Sequence, residues 1–183
     1  MTSRSRIWSV DLERTIDVPL ADVRNLLVRE PTVLIDPAAT LPDRHTGRVS
    51  TELRTPVGHN TVTRLIAIDV SPAQIGDDCV VIALRWEAAH RRYWFPKMEA
   101  HLTVADAGAE KSSLRLTGNY TVPLWWLGRF VHRVAGVQLA EASVEALFDQ
   151  IVDRVTRATH QARGSIRWHP APAPHPLAHH PDD

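Results

Sequence analysis

Cysteine is almost absent from this 183-residue chain, where Cys79 stands alone. A single cysteine excludes an intramolecular disulfide and any multi-cysteine zinc or iron–sulfur centre, and it suits a reducing compartment. Excess charge of either sign is absent too. Lys+Arg and Asp+Glu both number 21, so the formal charge is zero. No basic stripe marks a nucleic-acid surface, and nucleic acid is not an expected partner. Lysine is nearly missing, with only Lys97 and Lys111, a bias into which no function is read. Long apolar runs are missing as well. The stretch 122–155 is interrupted by Arg129, Arg133, Glu141, Glu145, Asp149 and Asp153, too many charges for a bilayer helix, so no stable membrane insertion is expected. Arginines near the N-terminus have no apolar run behind them, which argues against a signal peptide and makes the cytoplasm the expected location. GxSxG, HExxH, Walker and GxGxxG signatures are all lacking, and no cofactor is implied.

What remains is the composition of one ordinary domain. Apolar residues make up 44% of the chain, and a domain of this length buries most of its unfolded surface without a disulfide or metal. Proline is the clearest punctuation. None of the 13 falls between Pro123 and Pro170, which leaves a window for a long helix. Five fall in PAPAPHPLAHHPDD, where Leu177 is the only large apolar residue. Such a segment cannot offset its ordering entropy. The expected boundaries are therefore an N-terminal extension 1–6, a single domain 7–162 and a disordered tail 163–183. The tail histidines His169, His175, His179 and His180 resemble a chelator, but a flexible tail lacks the fixed geometry of a metal site.

Alternation organises most of the domain. Trp8, Val10, Leu12, Ile16 and Val18 share one face of a predicted first strand. Pro19 then opens a short helix to about Arg29, with Val23, Leu26 and Leu27 at helical spacing. Residues 30–46 read as loops with one short helix. Strand patterns follow at 48–56 and 60–70 around a tight turn, then at 79–89, 97–104 and 113–122, with a loop at 72–77. Short connections and polar outward faces predict an antiparallel sheet with one wet side. After Pro123, residues Phe130, Val134, Val137, Val144, Phe148, Ile151 and Val155 form one helical stripe, with Gly136 the expected site of a bend or break. The class is α+β: a curved antiparallel sheet wrapped around a long C-terminal helix.

Four segments carry a resemblance to a known group. SVDLERTIDVPLADVRNLL resembles the first strand and helix, RWEAAHRRYWFPKMEAHLTV and LRLTGNYTVPLWWLG the later strands and the entry to the last helix, and VQLAEASVEALFDQIVDRV the closing helix of the START-related, polyketide-cyclase-like superfamily (the helix-grip or SRPBCC group). The resemblance spans about residues 7–160. It implies a helix-grip fold with a space between sheet and helix. Members include lipid carriers, aromatases and cyclases, so no single reaction is implied.

Candidate site residues are those that break or line the inward face. Glu141 lies on the helix stripe, where a carboxylate needs a partner or a raised pKa. Arg14 and Arg64 interrupt apolar strand faces and are candidate partners for a carboxylate of the protein or of a ligand. Trp86, Met98, Tyr120, Phe130 and Val137 are candidate walls. The expected function is binding or transport of a small hydrophobic or amphipathic molecule by a monomer or homodimer. Two alternatives stay open: a cyclase- or aromatase-like enzyme with Glu141 as acid or base, and an interaction module with a filled core.

Overall fold

The computed structural model describes residues 5–35, 48–57, 60–88, 97–123 and 133–166. Phe130 and the tail from 167 onward lie outside these residues, as do the side chains of Arg64 and Val137.

Strand β1 (Ser5–Ile16) is followed by helix α1 (Leu20–Arg29) and a 3-10 turn (Pro31–Leu34). Then come β2 (Arg48–Val57), β3 (Asn60–Val70), β4 (Gln74–Ile75), β5 (Cys79–Ala88), β6 (Lys97–Asp106), β7 (Ser112–Pro123) and the closing helix α2 (Arg133–Ile166). All strands pair antiparallel in the order β1-β7-β6-β5-β3-β2, with β4 beside β5. Successive strands thus lie side by side, except that the helical excursion after β1 carries the chain to the opposite edge. The sheet curls into a half-barrel around α2, which is the helix-grip α+β architecture.

Period-2 alternation explains which face is buried. In β6 the even residues Met98, Ala100, Leu102 and Val104 are buried, whereas the flanking Lys97, Glu99 and His101 are exposed. The same parity puts Leu114, Leu116 and Tyr120 inward on β7 and Val80, Ile82, Leu84 and Trp86 inward on β5. On α2, Val144, Leu147, Phe148, Ile151 and Val155 close the core from the other side. The outer face is polar: Arg115 holds Asp11 bidentately across β7 and β1 at 2.8 and 2.6 Å. That guanidinium keeps the Asp11 carboxyl below its usual range, although full exposure leaves the pair little weight in stability.

Three differences from the sequence expectations have simple causes. Helix α2 passes through Gly136 without a break; a lone glycine costs a helix about 1 kcal/mol, which its neighbours outweigh. The same helix continues to Ile166, past the boundary expected at 162, helped by the ion pair of Arg163 with Asp22 of α1 at 2.5 Å. Within the loop expected at 72–77, Gln74 and Ile75 pair with Val81 and Val80.

One close approach within the sheet requires a glycine. Gly118 of β7 faces Ala100 of β6, and the strands approach so closely that a Cβ on Gly118 would lie 2.4 Å from the Glu99 carbonyl oxygen and 2.6 Å from the Ala100 Cα. Only glycine allows that contact, a role glycine takes at tight bends of curled sheets. Gly118→Ala is therefore expected to destabilise the fold by about 1–3 kcal/mol, the usual range for overpacking. Gly164→Ala, on α2 with open space around it, is expected to be neutral or stabilising. Paired urea denaturation curves of the two variants check the contrast.

Candidate functional site

Register places one transverse row of large side chains across the concave face. Ile68 pairs with Trp86, Trp86 with Met98, Met98 with Tyr120, and Tyr120 with Trp8. Residues directly opposite on neighbouring strands share a face, so all five point toward the helix side. Met98 and Tyr120 are each 1% exposed and Trp86 is 6% exposed. The Trp8 and Tyr120 rings stack with centroids 6.4 Å apart. Trp86–Met98 is the last registered pair before the β5–β6 connection. The β2–β3, β5–β6 and β7–α2 connections all leave the sheet at this end, which is also where α2 begins.

Three of the expected site residues, Trp86, Met98 and Tyr120, thus stand in one row. Glu141 is joined to them electrically rather than by burial. It is exposed on the third turn of α2, yet its charge reaches the buried Tyr120. Burial pushes the Tyr120 phenol above its ordinary range, and the Glu141 carboxylate pushes it further in the same direction.

Arg14 is on the inward face, opposite Leu114, but at a distance from this row. Its guanidinium lies 3.3 Å from Asp149 and 5.8 Å from the centroid of the Phe148 ring. Its carboxylate is therefore Asp149, about two helical turns beyond Glu141. The backbone of Arg64 pairs with Leu53 on β2; its side chain, like Phe130 and the Val137 side chain, is outside the described residues.

Four buried side-chain atoms have no hydrogen-bond partner among the described residues: Arg24 Nε, Thr51 Oγ1, Trp86 Nε1 and Gln150 Oε1. Arg24 is otherwise engaged, since another of its nitrogens donates to the Asp77 carbonyl at 3.0 Å. Thr51 and Trp86 belong to the concave face. Thr51 is 1% exposed and sits opposite Ile66, one pleat along from Ile68, the neighbour of Trp86. A buried polar group without a partner costs about 1–3 kcal/mol. Sequence reasoning passed over Thr51, although the signal was present: it shares parity with Val49 and Leu53, opposite to Ser50, Glu52 and Arg54.

Among the described residues no group of three or more His, Cys, Asp or Glu is placed to hold a metal, and no helix is long and apolar enough to cross a membrane. No family model matches the chain, and no curated protein matches it. Solved structures do. A conserved protein from Geobacillus kaustophilus aligns over 82% of this chain and 97% of its own at 9% identity, with a TM-score of 0.51. The Zhui aromatase/cyclase from Streptomyces sp. R1128 aligns over 86% and 96% at 19% identity, with a TM-score of 0.48. Norcoclaurine synthase from Thalictrum flavum aligns over 82% and 87% at 12% identity, with a TM-score of 0.45. At such identities what is shared is a fold, not an activity.

The buried phenol gives a pH test. Its folded pKa lies above the unfolded value, so its contribution to stability is complete below the unfolded tyrosine pKa and is lost as pH rises through the folded one. In Tyr93→Phe, which leaves Tyr120 as the only tyrosine, ultraviolet difference titration is expected to show ionisation above the usual phenol range. Adding Glu141→Gln is expected to lower that midpoint without returning it to the free value, because burial is the larger cause.

Proposed function

We propose that this chain, with its fold of the START-related, polyketide-cyclase-like type, binds a small hydrophobic or amphipathic molecule between the concave face and α2. The observation that carries the reading is the row Trp86–Met98–Tyr120–Trp8, set at the end of the sheet where three connections leave. Aromatic and thioether side chains make adaptable apolar walls. Burying apolar area at about 25 cal/mol per Å² supplies affinity, and a few polar tips supply orientation. Tyr120 within the row and Glu141, whose charge acts on it, are the polar pair. Arg14 is assigned to holding α2 against β1, since it is occupied by Asp149 and Phe148.

A second reading draws on the same pair. Glu141, accessible from solvent, and the interior Tyr120 phenol form an acid–base couple of the kind a cyclase-like reaction uses. Under that reading the bound molecule leaves chemically altered.

Native mass spectrometry of protein from its own host tests the proposal. The expected result is one small-molecule adduct per chain, released on harsher desolvation. Met98→Trp, which crowds the centre of the row, is expected to abolish the adduct while the chain keeps its far-ultraviolet circular dichroism. Apo protein in every preparation, together with no saturable binding of an apolar fluorescent dye, would overturn the binding reading. An adduct whose mass changes on incubation, and does not change in Glu141→Gln, favours the enzyme.

A further inference from the structure

We infer that the edge of β1 receives an extended polypeptide segment with arginine or lysine at every second position, which adds a strand to the sheet and lays its basic heads along Glu141, Glu145 and Asp149 of α2. This goes beyond the binding reading and does not rest on it.

The sheet ends in β2 on one side and in β1 on the other. Natural sheet edges are guarded by proline, bulges, short length or unanswered charge. β2 carries Pro56. β1 has none of these guards. It runs for 12 residues without proline, and its register with β7 is unbroken from Ser5 to Ile16. Its charged side chains Asp11, Glu13 and Arg14 are drawn off by Arg115, Ser113 and Asp149. Ile7, on the outer face, is 68% exposed. Among the described residues no strand other than β7 pairs with β1, so a row of its backbone N–H and C=O groups is open to another chain.

The side chains beside that edge say what the incoming segment carries. On the inner face Trp8, Val10 and Leu12 are half-buried, although Tyr120 and Leu116, opposite Trp8 and Leu12 on β7, are 1% and 0% exposed. The cover given by α2 thins out toward β1. Next to this apolar row stands an acidic one. Glu141, Glu145 and Asp149 follow at i, i+4 spacing on one flank of α2, and all three are exposed. The Arg14–Asp149 pair at 3.3 Å turns this flank toward β1, whereas Arg154 on the opposite flank donates to the Leu34 carbonyl. Toward the other end the Glu141 charge acts on Tyr120, the stacking neighbour of Trp8. The acidic row therefore runs alongside the apolar row. Among the described residues Glu141 and Glu145 have no ion-pair partner. Long basic side chains answer both rows at once, because the stem covers apolar surface while the head stays with the charge. Alternate residues of a strand share a face, which sets the basic residues at every second position. Backbone pairing gives such a complex affinity, and the alternate side chains give it specificity.

The probe is a labelled peptide of alternating arginine and threonine, about nine residues long so that it spans Trp8 to Arg14, added to the full chain. Fluorescence anisotropy is expected to show saturable binding, one peptide per chain, that weakens as salt rises. Hydrogen exchange is expected to show new protection in β1 and none in β2. Glu145→Lys is expected to weaken binding roughly 2- to 10-fold, and Glu52→Lys, the same charge change at the far edge of the sheet, less than about 2-fold. A peptide of the same composition with its arginines in one block, and another N-methylated at every residue, are each expected to bind roughly 5-fold more weakly or worse. The inference is overturned by absent or unsaturable binding, by equal binding of the block or methylated peptide, by equal losses in the two variants, or by protection elsewhere than in β1. Light scattering that shows a dimer with its β1 amides already protected also overturns it, a second copy then filling the edge. The adduct sought by native mass spectrometry is untouched by any of these outcomes, so the two readings fail separately.

Discussion

A flat sheet cannot surround a helix. The sheet here is curled, and at one point β6 and β7 come so close that residue 118 has no room for a side chain. Gly118 and Ala100 stand in one row with Leu84 and Val10, next to the row of Trp86, Tyr120 and Trp8. The inward faces of β5, β6 and β7 then converge on one axis, which the stripe from Val144 to Val155 occupies. Core packing at native density tolerates few gaps, so the curl of the sheet and the stripe of the helix have to match.

Polar links distribute stiffness unevenly over this frame. The Ser112 hydroxyl, fully buried, donates to the Val18 carbonyl at 2.6 Å and ties the end of β1 to the start of β7. Arg154 of α2 donates to the Leu34 carbonyl, Arg24 of α1 to the Asp77 carbonyl, and Arg163 pairs with Asp22. Each joins the helical excursion after β1 to the sheet or to the far half of α2. Exposed pairs of this kind contribute little singly, but they act at one end of the molecule. The aromatic row lies toward the other end, where adaptable walls matter more than rigidity.

Much of this was legible in the sequence, for a definite reason. Strand faces have period two, so Trp86, Met98 and Tyr120 could be assigned inward without knowing their neighbours. What stayed hidden was pairing at long range. Arg14 interrupts the alternation of an apolar face, yet nothing in the sequence connects it to Asp149, 135 positions away. The angular position of Glu141 on the helix was readable, but its exposure was not, because a stripe's phase does not say how far along the helix the sheet extends. Thr51 escaped for another reason: threonine is a good strand former, so it does not register as an anomaly on a strand in the way arginine does. Gly118 also passed unnoticed inside a regular alternation, since the crowding that requires it comes from the neighbouring strand.

Interruptions of an apolar face fall into two kinds once the fold is known. Arg14 breaks the pattern and is answered by the protein itself, through Asp149 and the Phe148 ring; its role is complete in the folded chain. Thr51 and Trp86 break it and are not answered among the described residues. Native interiors leave few polar atoms in that condition, and the exceptions gather where a sequence gives up local consistency for function. The distinction turns on satisfaction rather than on charge. By residue type, Arg14 and Glu141 looked like the chemistry of this chain. By unmet hydrogen-bonding capacity among the described residues, the Thr51 hydroxyl and the Trp86 indole N–H on the concave wall stand apart from both.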